Sequence, residues 1–174
     1  MVESYWVIEH RIVSPGLDEL GGSALTNKNL AVPECGTQDL PVAKVPAISI
    51  VFLSHALVWA AIIGASAICI GVNPLDYSGY TDCRPAYINA VQSMMDLVTK
   101  KAAEGSVIVL HAPLVEKSKA EIIKTGMEQR VDFGLIVSCY QADEGGNACG
   151  LCDSCRPRKQ GFADAQLCDP TWHR

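Results

Sequence analysis

From Ala47 to Leu75 the chain carries no Asp, Glu, Lys or Arg. A run of that length belongs either in a lipid bilayer or at the centre of a folded core. Its internal punctuation separates the two. Ile48 to Ile63 reads as a helix, Gly64-Ala65-Ser66 interrupts, and Ala67 to Val72 reads as a strand. Pro46 suits a helix start, and His55 is a poor residue for mid-bilayer. The expectation is a buried helix feeding a buried parallel strand, with membrane insertion the lesser alternative. Cys69, inside that strand, is expected to be a small buried hydrophobe, and His55 a structural residue.

The remaining composition fits a globular protein. The 174 residues have the size of one domain, and 49% apolar with 19% charged residues argues against disorder. A net charge of −5 gives no electrostatic ground for nucleic acid or an anionic membrane as partner. No short apolar core with a small-residue cleavage site follows Met1. The chain is therefore expected to be cytoplasmic, in a reducing compartment.

Along the chain, Trp6 to Val13 reads as an edge strand and Ser14 to Lys44 as loop, rich in glycine and proline. Arg84 to Lys101 reads as an amphipathic helix, with Tyr87, Ala90, Val91, Met94, Met95 and Val98 on its apolar face. Gly105 ends it and Ser106 to Leu110 forms a short strand. Ser118-Lys119-Ala120-Glu121 is a capping-box pattern, predicting a helix to about Gln129. Phe133 to Val137 reads as one more strand, leading into Cys139. Helices alternating with short apolar strands predict an α/β fold with a mostly parallel sheet and helices on both faces. The whole of 1–174 is expected to be a single α/β domain with a metal-binding C-terminal segment at 139–155. In such sheets ligands lie beyond the carboxyl ends of the strands. Three loops leave there: Gly71 to Arg84, His111 to Leu114, and the cysteine loop.

That last loop holds Cys139, Cys149, Cys152 and Cys155 in the pattern C-x9-C-x2-C-x2-C, threaded with Gly145, Gly146 and Gly150. Four neighbouring thiolates suit a tetrahedral structural zinc site. Iron–sulfur ligation uses similar spacing, and disulfides are disfavoured in a reducing compartment.

Gly71-Val72-Asn73, followed by Asp76-Tyr77-Ser78-Gly79-Tyr80-Thr81-Asp82-Cys83-Arg84, resembles a signature loop of the 7-cyano-7-deazaguanine synthase family. Similar in the same way are Gly21 to Thr26, Ala112-Pro113-Leu114 with Ser118 to Glu121, and the cysteine knuckle ending in Cys155-Arg156. These motifs run in family order over nearly the whole chain. The resemblance implies a Rossmann-like, adenine-nucleotide α-hydrolase-like fold of the ATP pyrophosphatase group, with a structural Zn2+. It also implies use of ATP with Mg2+ to activate 7-carboxy-7-deazaguanine, which ammonia converts through an amide to the nitrile on the route to queuosine in tRNA.

Two departures stand out. The family's Ser-Gly-Gly-x-Asp-Ser phosphate loop, whose backbone N–H groups hold pyrophosphate, is absent from this sequence. Val45-Pro46-Ala47-Ile48-Ser49 stands where the family pattern is Val-Pro-x-Arg-Asn. The expectation is a family member lacking its first βαβ portion. Its rival is a truncated, non-catalytic homologue serving as a zinc-stabilised binding domain.

Within the resemblance, Asp76, Tyr80, Asp82 and Arg84 are expected to bind the deazaguanine. Carboxylates accept from guanine-type N–H donors, and an arginine can fork onto the acid. The plainer reading is a solvated loop in which Asp76 and Asp82 serve turns and caps. Lys119, at a helix N-terminus, is placed either to meet a phosphate or to be an ordinary surface lysine. The metal ligands are expected to be Cys139, Cys149, Cys152 and Cys155. No catalytic residue is assigned, His111 being more ordinary as a loop histidine, and an exposed sheet edge would suit a homo-oligomer.

Overall fold

Five helices and two strands occur in the computed structural model, which describes residues 8–27, 29–32, 45, 47–73, 81–98 and 107–171. In chain order they are the single turn α1 (Leu17–Leu20), α2 (Ile48–Ile63), β1 (Ala67–Cys69), α3 (Pro85–Val98), β2 (Val109–His111), α4 (Lys119–Glu128) and α5 (Cys155–Ala165). Short 3-10 turns form at Thr81–Cys83 and Phe133–Leu135. The chain divides into two compact units: Pro46–Thr125, and a second drawn from Met1–Val45 with Gly126–Arg174.

The Pro46–Thr125 unit is built on a parallel pair. β1 and β2 align Ala67 with Val109, Ile68 with Leu110 and Cys69 with His111. Parallel neighbours need a crossover, and α3 lies on it. Side chains alternate along a strand, so Ile68 and Leu110 are buried while their neighbours are not. Leu53, Leu57 and Ala60 from α2, and Ile88, Val91 and Met95 from α3, close over them together with Val72 and Ile108. Met95 and Ile108 are each 1% exposed, and burial on that scale contributes about 1.5–3 kcal/mol per large apolar side chain.

α2 occupies the expected residues. Gly64 ends it in the left-handed region at φ 71°, with the Gly64 and Ala65 N–H groups both turned back on the Ala60 carbonyl. Its burial differs from expectation, however. Only the stripe Ser49, Leu53, Leu57 and Ala60 is buried, whereas Ile50, Phe52, Val58, Ile62 and Ile63 are exposed. A helix presents one face to one sheet, and a sequence apolar on every side does not mark which. His55 is exposed too. Among the described residues no helix is long and apolar enough to cross a membrane. The 16 residues of α2 rise only about 24 Å at 1.5 Å each.

The same geometry corrects two further expectations. Helical cover reaches the Ile68–Leu110 side of the described pair, and the opposite side, with Ala67, Cys69, Val109 and His111, is exposed. Cys69 is thus exposed, because strand alternation puts it opposite Ile68. On α3, Ala90 and Val98 are exposed and Ile88 takes the inward position.

In the second unit the expected strand at Phe133 to Val137 is a 3-10 turn followed by extended chain. Asp132 caps the turn, its carboxylate accepting from Gly134 N–H at 2.9 Å. The proposed edge strand from Trp6 to Val13 lies partly outside the described residues, and Ile8 to Val13 form neither helix nor strand. Gly21 to Asn27 is a tight turn around Ser23, which is fully buried. Asn27 N–H donates to the Ser23 carbonyl, and Thr26 Oγ1 to that of Gly21.

Candidate functional site

The four cysteines of the C-terminal loop converge. Their Sγ atoms all lie within 4.8 Å of one another. Cys152 and Cys155 approach to 3.5 Å and Cys149 and Cys155 to 4.0 Å, and all four are free thiols. Local backbone makes this possible. Gly150 adopts φ 75°, turning Leu151 N–H back toward Cys149 Sγ at 3.5 Å. Cys139, arriving from the far side of the loop, accepts from the N–H groups of Gln141 at 3.3 Å and Cys149 at 3.2 Å. Ala148, Val32 and Tyr140 pack around the sulfurs.

Four thiolates about 2.3 Å from one zinc ion would lie about 3.8 Å apart in a tetrahedron. The observed separations bracket that edge and suit one ion better than a polynuclear cluster, which must hold its outer sulfurs farther apart. Electrostatics agree. Burial opposes the Cys149 thiolate, yet N–H donation from Leu151 and Cys152 and hydrogen bonds with the Cys139 and Cys152 sulfurs outweigh it, lowering Cys149 from 9.0 to about 7. Cys155 moves the other way, raised by burial and then by its hydrogen bond with Cys152. Four thiols whose sulfurs lie this close offer one ligand atom each to a single cation. The residues therefore fit a structural zinc ion.

The strand-edge loops form a second cluster, within the Pro46–Thr125 unit. Asn73, just past β1, donates through Nδ2 to the Leu114 carbonyl at 2.8 Å and to the Lys117 carbonyl. One side chain thus clamps the loop leaving β1 to the loop leaving β2. Immediately afterwards Ser118 and Glu121 cap α4 reciprocally: Ser118 N–H and Oγ donate to Glu121 Oε2 at 2.7 Å each, and Glu121 N–H donates to Ser118 Oγ at 3.2 Å. Lys119 begins the helix, half-buried.

Asp76 and Tyr80 lie outside the described residues. Asp82 is buried in the turn that closes their loop, and its Oδ2 accepts from Ser49 Oγ at 2.8 Å. Arg84 is exposed. Tyr87 packs beside this turn, its hydroxyl titration raised first by burial and then by the negative charge of Asp82 and Cys83. His111 points to the exposed side of the strand pair.

Sequence reasoning passed over Arg158. Its guanidinium is buried in an ion pair with Asp169 at 3.0 Å. The available signal was its place three residues beyond Cys155, on the same helix face.

Comparison with known proteins places the chain. The family model described as queuosine biosynthesis protein QueC matches residues 1–166. A 7-cyano-7-deazaguanine synthase of Dechloromonas aromatica (strain RCB) is 54% identical over 175 residues, spanning 100% of this chain and 78% of that protein. The synthase of Azoarcus sp. (strain BH72) is 54% identical over 164 residues, 94% of this chain and 72% of its own length. That of Methylococcus capsulatus is 51% identical over 174 residues, covering 100% and 78% respectively. With the motifs in order and the four sulfurs converging, this chain belongs to the 7-cyano-7-deazaguanine synthase family.

Proposed function

We propose that the protein is an ATP-dependent carbon–nitrogen ligase that converts 7-carboxy-7-deazaguanine and ammonia to 7-cyano-7-deazaguanine, supplying queuosine biosynthesis. The observation that carries this reading is kinship over the full chain with synthases of that name. Carboxylate to nitrile removes two oxygens from one carbon and adds one nitrogen. In the proposed route the carboxylate attacks the α-phosphorus of ATP and expels pyrophosphate. Ammonia then displaces AMP to give the amide. A second ATP activates the amide oxygen in the same way, and loss of AMP with two N–H protons leaves the nitrile. Mg2+ accompanies ATP as co-substrate.

The parallel β1–α3–β2 unit supports a Rossmann-like sheet for this chemistry, with ligands at the strands' carboxyl ends. Asp76, Tyr80 and Arg84 take the base and its acid. Asp82, held by Ser49, sets the end of their loop. Lys119, at the N-terminus of α4, meets phosphate. Cys139, Cys149, Cys152 and Cys155 would hold zinc, which would supply a cross-link and no chemistry of its own.

The test is purified protein with ATP, Mg2+, 7-carboxy-7-deazaguanine and ammonium. AMP release that depends on both the acid and ammonium, with nitrile found by mass spectrometry, is the expected result. Base binding without AMP release would refute the ligase and leave a zinc-stabilised binding domain.

A further inference from the structure

We propose that Arg158 is the positioning residue that recruits Cys139 to the metal; this rests on the reading that the four cysteines hold zinc. Cys149, Cys152 and Cys155 are close in sequence and share one turn and the start of α5. Cys139 is separated from them by nine residues that include Gly145 and Gly146, so it is the ligand with the most freedom to lose.

All five N–H donors of Arg158 are engaged. Nε donates to both Asp169 carboxylate oxygens at 3.1 Å. Nη1 donates to the Ile136 carbonyl at 2.9 Å and to Ser138 Oγ at 3.1 Å. Nη2 donates to the Phe133 carbonyl at 3.0 Å and to Asp169 Oδ1 at 3.0 Å. Phe162 packs beneath the guanidinium, 5.3 Å from its ring centre, and meets the Phe133 ring edge-on at 5.4 Å. Three of these partners, Phe133, Ile136 and Ser138, lie on the segment that ends in Cys139. Arg158 itself stands one helical turn after Cys155. The guanidinium is therefore a rigid strut between the approach to the distant ligand and the helix that carries the local ones. Asp169 fixes the strut's angle. Metal sites commonly depend on such outer partners to orient their ligands.

The test compares wild type with Arg158→Met, Arg158→Lys and Asp169→Asn, and with Leu57→Ala as a destabilised control in the other unit. Zinc-loaded proteins are mixed with excess chelator to read release rates, and cobalt-loaded proteins are read by thiolate-to-metal absorption. Arg158→Met is expected to release zinc roughly ten-fold faster or more. Its cobalt band should lose roughly the one quarter contributed by one thiolate of four. Arg158→Lys, a point charge without the planar fork, should be only partly rescued. Asp169→Asn should shift both readouts in the same direction, and it carries the test if Arg158→Met fails to fold.

A merely structural role would lower stability and leave the cobalt spectrum unchanged. Wild-type release rates and spectra in Arg158→Lys and Asp169→Asn would overturn the proposal, as would equal acceleration in Leu57→Ala. Wild type that takes up neither metal would instead sink the zinc reading itself.

Discussion

Replacing Ser49 by alanine removes a side-chain bond that ties the first turn of α2 to the Thr81–Cys83 turn. Ser49 Oγ donates to Asp82 Oδ2 at 2.8 Å, and the two residues are 9% and 8% exposed. A hydrogen bond to a charged group in such surroundings contributes about 1.5–3 kcal/mol. We therefore expect Ser49→Ala to cost about 2 kcal/mol. In a chain of this length each kcal/mol moves Tm by about 2–4 °C, so the midpoint should fall by about 4–8 °C. Asp82 has packing and further partners of its own, so the bond is isolated by a double-mutant cycle with Asp82→Ala in urea denaturation. A coupling energy of about 1–2 kcal/mol is expected. Coupling below about 0.5 kcal/mol would show that the two side chains are neighbours without mutual stabilisation, and the account of Asp82 as the anchor of this loop would fail. On the proposed ligase reading, in which the loop before Asp82 takes the deazaguanine acid, Ser49→Ala should raise KM for that acid with little change in kcat, since it touches no reacting atom.

Ala47 precedes α2 at φ 54°, in the left-handed region. That conformation costs a residue with a Cβ roughly 1–2 kcal/mol, and glycine's larger unfolded-state entropy takes back about 0.4–1 kcal/mol. Ala47→Gly should thus raise the urea midpoint, corresponding to a net gain of about 0.5–1 kcal/mol; a lower midpoint would show that the turn is unstrained. For Asp169, burial opposes the carboxylate, but hydrogen bonds from Arg158 and Thr171 and the charge of Arg158 win, holding it below its ordinary 3.8. A carboxylate lowered on folding adds stability above its unfolded value, and that stability disappears as pH falls through the folded one. The urea midpoint of wild type should therefore exceed that of Asp169→Asn at pH 6. The gap should close steadily below about pH 4, and a pH-independent gap would contradict the ion pair.

What could be read in the sequence followed local chemistry. α2 was legible because its apolar sequence is interrupted at Gly64, a glycine able to take positive φ. α4 was legible because Ser118 and Glu121 form a cap whose partners are three residues apart. The cysteine centre was legible for the same reason, three of its four ligands falling within seven residues. Phe133 to Val137 misled because its β-branched, apolar composition suits a strand. Yet Arg158 takes the Phe133 and Ile136 carbonyls that a sheet partner would need. Nothing local announces that bond, since the arginine lies more than twenty residues downstream and its anchoring aspartate beyond the end of α5. Cys69 misled differently, because alternation in a three-residue strand is too short to show which side faces the core.

The unit that carries the cysteines is assembled from both ends of the chain, with Pro46–Thr125 between them. Its seam includes the bond from Gln141 Nε2 to the Val32 carbonyl at 2.8 Å, and Val32 packs against the sulfurs. During synthesis Val32 emerges long before its partner, and at about 5–20 residues per second the wait lasts on the order of 5–20 s. The central segment, whose core residues are all its own, is complete on the ribosome within that interval. The metal-binding unit closes only when the C-terminal segment appears. Translation thus imposes an order of assembly in which the sulfur centre is made after the central segment.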